Sequence, residues 1–135
     1  MASPLHAANI REYLTTTTGL SNVYINQFNP TVSNLNQYAV IEYPGLANVK
    51  THGTGSPKNP VLDEASIQVL ARHSSAQSAR TAIRNVVDAL DGLNDVTINS
   101  VVYTWIEMIS APRIHERDEQ GNITFLAEFR VQSRR

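Results

Sequence analysis

The 135-residue chain contains no cysteine, which excludes disulfide frameworks, zinc-thiolate sites and thiolate nucleophiles. It also lacks a surplus of either charge. Eleven Lys and Arg stand against twelve Asp and Glu, a formal net charge of −1. A chain that grips a phosphate backbone needs a basic excess, so nucleic acid is not expected as a primary ligand. No stretch reaches the roughly 18 apolar residues of a membrane span. The opening MASPLHAANIREYL has neither the basic start nor the apolar segment of a signal peptide, so synthesis in the cytoplasm of the producing cell is expected. Charged residues make up 17% of the chain, below the roughly 25% of an average soluble domain. Part of the surface must be uncharged polar or covered by partners. At this length one domain over residues 1–135 is expected, burying about two thirds of the surface its unfolded form exposes.

What is present is patterned. Ser3 followed by Pro4 is a helix-start signature, and Ala7, Ile10 and Leu14 recur at helical spacing up to the threonine run and Gly19. NVYINQF (22–28) and QYAVIEY (37–43) read as paired strands, rich in aromatic and β-branched residues. PGLANVKTHGTGSPKNP (44–60) reads as a long loop, a length usually functional or disordered in small domains. Ile67, Val69 and Ala71 alternate with polar neighbours as in a strand with one buried face. Ala79, Ala82, Ile83, Val86, Leu90 and Leu93 form one helical stripe, with Arg80, Arg84, Asp88 and Asp91 opposite. Ser74 and Gln77 have capping-box spacing, and Gly92 stands where a left-handed residue would stop the helix. VTI and VVYTWIEMIS flank a tight turn at Asn99 and Ser100. RIHERDEQGN reads as a protruding hairpin, and Ile123, Phe125, Ala127, Phe129 and Val131 alternate on one face of a last strand. The order implies an α+β fold: a single-domain, mainly antiparallel or mixed sheet of about six strands with two helices packed on one face.

Chemistry-bearing patterns are few. His73 beside Ser74 and Ser75 could pair a base with a nucleophile, but no G-x-S-x-G surrounds either serine and Ser74 is needed as a cap. His6, His52, His73 and His115 are scattered without a partner histidine at i+3 or i+4, so metal binding is not expected. The acidic cluster around His115, Glu116, Asp118 and Glu119 reads as a solvated tip. HGTGSPK lacks phosphate-loop spacing. No catalytic residue and no cofactor is expected.

The stretch IQVLARHSSAQSARTAIRNVVDALDGLNDVTINSVVYTWIEMISAPRIHERDEQGNITFLAEFRV resembles the tail terminator, or tail completion, proteins of long-tailed bacteriophages, often described as minor capsid proteins. The features that carry it are the Ile-Gln-Val strand, the Ala-rich helix ending Ala-Leu-Asp-Gly-Leu, the Val-x-Ile-Asn hairpin and the Arg-Asp-Glu-x-Gly turn. It covers about residues 62 to 133, and residues 1 to 43 only by element order. Ser100 departs from it, since relatives often carry glycine in that turn. The resemblance implies a non-enzymatic virion protein: a ring, typically of six, on the head-proximal end of the tail tube, stopping polymerisation and meeting the head's connector. DNA would pass through the lumen unbound. Expected contact residues toward a neighbour or the tube are Lys50, His52 and Lys58 of the loop, Arg80, Arg84 and Asp88 of the helix, and Arg117, Asp118 and Glu119 of the hairpin. A neck or head-completion protein, or a small ligand-binding or enzymatic α+β domain, is the alternative.

Overall fold

The computed structural model describes residues 5–28, 36–42, 48–50, 62–118 and 121–134. Along the chain these form α1 (Leu5–Thr16), β1 (Val23–Ile25), β2 (Gln37–Glu42), β3 (Asn48–Lys50), β4 (Leu62–His73), α2 (Ala76–Leu90), β5 (Leu93–Ile98), β6 (Val101–Arg117) and β7 (Ile123–Arg134). The expected start of the first helix at Ser3 and Pro4 lies outside the described residues.

The strands build one mixed sheet in the order β1-β2-β4-β7-β6-β5, with β3 also on β4. All pairs are antiparallel except β1 with β2, which run parallel from Val23↔Tyr38 to Ile25↔Val40. β1 is shorter than the aromatic run suggests because Asn22 and Asn26 at its ends take positive φ, 59° and 73°, a conformation asparagine tolerates better than most residues. β3 corrects the long-loop reading: Asn48–Lys50 pairs with Leu62–Glu64 on the same side of β4 as β2. In the expected hairpin RIHERDEQGN, Arg113–Arg117 is strand, paired to β7. Between β6 and β7 the Asp118 carboxylate accepts from the Asn122 amide (2.8 Å) and side chain (2.7 Å).

The helices lie on one face. α2 buries Ala79, Ala82, Ile83, Val86 and Leu90 against β4, β7 and β6. Leu93 is not part of that stripe but the first residue of β5. The cap is Ser75, not Ser74: β4 runs on to His73, Ser74 completes the bend, and the Ser75 hydroxyl accepts the Ser78 amide at 3.2 Å. Gly92, at φ +88°, follows the helix end as expected. Asn99 and Ser100 both adopt positive φ, 50° and 69°, the requirement of a type I′ hairpin turn, met here without glycine.

α1 buries Ala7, Ile10 and Leu14. It packs on β1 and β2 at one end of the sheet and on β5 at the other. In a flat sheet those ends would stand about 24 Å apart, five spacings of about 4.8 Å, more than a helix of about 10–12 Å diameter can bridge. The sheet therefore curls around α1. Its concave side holds the main core, including Tyr38, Val40, Ile67, Val69, Tyr103, Ile106, Phe125 and Phe129. A smaller cluster on the convex side joins Ala39, Leu70 and Leu126 with Phe28 and Ile41, and the Arg72 guanidinium stacks 4.6 Å over the Phe28 ring.

Candidate assembly surface

The His-Ser-Ser corner does not form a catalytic pair. Ser75 spends its hydroxyl on the helix cap, and His73 turns edge-on to Tyr38, with ring centroids 6.4 Å apart. Its Nε2 is enclosed with no hydrogen-bond partner. A cleft of about 450 Å³ beside it is lined by uncharged groups, among them Asn36, Ser78, Thr81 and Asn85. Burial pushes the His73 imidazole below the ordinary histidine range. The unfolded chain therefore binds the proton more readily than the folded one, and stability falls as pH drops below about 6.5. His73→Phe keeps the ring contact and removes the titration. Its melting temperature should fall less than that of the parent chain between pH 7.5 and 5, and parallel curves would refute the assignment.

Among the described residues no group of three His, Asp or Glu side chains could hold a metal ion. No described helix is long and apolar enough to cross a membrane.

The residues expected to meet partners divide into three sets. Arg80, Arg84 and Asp88 lie one turn apart along the exposed side of α2. None of them makes an ion pair or a side-chain hydrogen bond among the described residues. Two ion pairs, Arg113–Glu128 at 3.4 Å and Arg130–Glu107 at 3.8 Å, lie on the opposite face. Arg117 is exposed at the end of β6, and the register His73↔Ile123↔Arg117 places it at the end of the sheet where α2 begins. Thus Arg117 and the Arg80 end of the stripe share one end of the subunit. Lys50 stands at the other end, since Lys50↔Leu62 and Leu62↔Arg134 lie at the start of β4. His52, Lys58 and Glu119 lie outside the described residues.

Two acids also serve the fold itself. Asp118 is exposed, but its carboxylate holds the β6–β7 turn. Asp91 does not extend the α2 stripe: its carboxylate accepts the Met108 amide at 2.8 Å, where β6 runs past the end of β5. Sequence reasoning also missed a polar group at the core. Tyr103, fully buried, meets His6 Nδ1 at 2.8 Å and accepts from Asn9 Nδ2 at 2.9 Å. Burial raises its phenol to about 12, so it stays neutral. The clue was Asn9, a polar residue beside Ala7 and Ile10 on the apolar stripe of α1.

The fold has a counterpart in a chain of the "Virion of native gene transfer agent (GTA) particle", with a TM-score of 0.63 and 16% sequence identity over 96% of this chain and 94% of that one. No curated protein matches the sequence. The sequence profile of the "Bacteriophage tail terminator protein" family matches residues 42–134, from the end of β2 through β7. The chain belongs to the bacteriophage tail terminator family and is a structural component of the virion tail.

Proposed function

We propose that the protein, folded as one domain, caps the head-proximal end of the tail tube as a homo-oligomeric ring, typically a hexamer. The cap stops tube polymerisation and presents a surface to the head's connector. The observation that carries the reading, beside the family match over 42–134, is the stripe Arg80, Arg84 and Asp88, exposed and without partners among the described residues. Head-to-tail contacts in a ring join two unlike patches, and unspent charges of both signs set register and exclude wrong partners. Arg117, at the same end, extends that patch. Lys50, His52 and Lys58, with Asp118 and Glu119, supply contacts to the tube or a neighbour. The near-zero net charge suits a lumen through which DNA passes without being held.

The test is electron microscopy of purified tail tubes mixed with the protein, together with native mass spectrometry. Rings at one end of each tube and a closed oligomer in solution or on tubes are expected. Monomers alone, with tubes that keep growing, would refute the reading.

A further inference from the structure

We infer that Tyr103 is a positioning residue for assembly: its hydroxyl fixes how far the sheet curls, and so the angle between the unlike surfaces a subunit offers its two neighbours. The inference rests on the ring reading above.

Apolar contact holds α1 in the concave side of the sheet, but such contact is not directional. Hydrogen bonds decide where the helix sits. Glu42 Oε1, at the end of β2, accepts from the His6 amide at 2.9 Å and the Ala7 amide at 3.0 Å. This ties the first turn of α1 to one side of the sheet. On the other side Asn99 Nδ2, in the β5–β6 turn, donates to Asn9 Oδ1 at 3.0 Å. Asn9 Nδ2 in turn donates to the Tyr103 hydroxyl at 2.9 Å. With its oxygen accepting from Asn9, the hydroxyl proton is left to donate to His6 Nδ1, 2.8 Å away. One helix turn thus joins β2 to β6, two strands that β4 and β7 separate in the sheet.

Tyr103 is the hub of this chain, and its ring alone would fill the same core space as phenylalanine. Asn9 is 1% exposed and Tyr103 0%, so water does not substitute when the hydroxyl is removed. A closed ring has one permitted angle between neighbours. A subunit whose curl is not fixed samples several.

Tyr103→Phe strands the Asn9 amide and His6 Nδ1. Tyr103→Phe with Asn9→Leu replaces the stranded amide by an apolar group of similar size, which recovers part of the monomer stability without restoring the tie, since His6 Nδ1 still lacks its partner and Asn99 loses Asn9. Thermal melting, native mass spectrometry and tube capping are measured on both variants, assembly being assayed well below either melting temperature. The single variant should melt below the parent and the double variant between the two. Both should form rings of mixed subunit number, and the concentration that caps half the tubes should rise about tenfold, within the usual range for coupled equilibria. If the double variant regains melting temperature, ring number and capping together, Tyr103 is structural only and the inference is overturned. Unaltered ring number and capping in both variants overturn it too. A parent chain that neither forms rings nor caps tubes overturns the ring reading, and the inference with it.

Discussion

Phe129→Ala lowers the free energy of unfolding by about 3–5 kcal/mol. Phe129 is fully buried in the middle of β7, between Ile67 of β4 and Met108 of β6, on the face that α2 covers. β7 is held by ladders on both sides, so the strand cannot sink into the space the ring leaves, and the cavity term adds to the lost transfer energy. Native domains are stable by about 5–15 kcal/mol, so this one change removes roughly a fifth or more of the total. The melting temperature should drop by roughly 10 °C or more. Denaturant and thermal unfolding of the purified subunit measure it, and a loss below about 1 kcal/mol would show that the site repacks.

Reversing Arg80 and Arg84 together to Glu has the opposite profile. Ring closure should be lost while the subunit remains as stable as before. Both side chains are exposed and make no ion pair among the described residues, so nothing within the fold is broken. Substitutions of this kind usually shift stability by no more than about 0.5 kcal/mol. Neither residue lies in the first turn of α2, where the helix dipole acts, and a carboxylate at position 84 would stand one turn from Asp88, so the variant should melt at the same temperature or slightly lower. Across a contact between subunits each reversal sets like charges together, and that costs several kcal/mol in specific interfaces. Native mass spectrometry and tube capping read the loss. A large fall in melting temperature would return both arginines to a structural role, and intact rings would move the contact to another face.

Where apolar residues recur at the period of their element, the fold was legible. Ile123, Phe125, Ala127, Phe129 and Val131 keep a period of two because β7 has a deeply buried side. Ala79 to Leu90 keeps a period near 3.6 because α2 has one face in water. Gly92 was legible because few other residues take its φ. The parallel pairing of β1 with β2 was not, since apolar runs do not encode the direction of the partner strand. Ser75 displaced Ser74 as the cap by one position, within the usual uncertainty of a helix end. Of the proposed assembly surface, the exposure of Arg80, Arg84 and Asp88 could be read from the stripe. The roles of Asp91 and Asp118 could not, because each carboxylate answers to a backbone amide whose place depends on the sheet. The Tyr103 group was hidden for a similar reason: Asn9 and Tyr103 stand 94 residues apart.

That separation also bears on how the chain is made. α1 leaves the ribosome before the sheet, and the hydroxyl that bonds His6 follows 97 residues behind it, roughly 5–20 s later at ordinary synthesis rates. Through that interval Ala7, Ile10 and Leu14 have no completed sheet to cover them. Docking of α1 must then close the longest loops in the molecule, which places it among the last and slowest steps of folding.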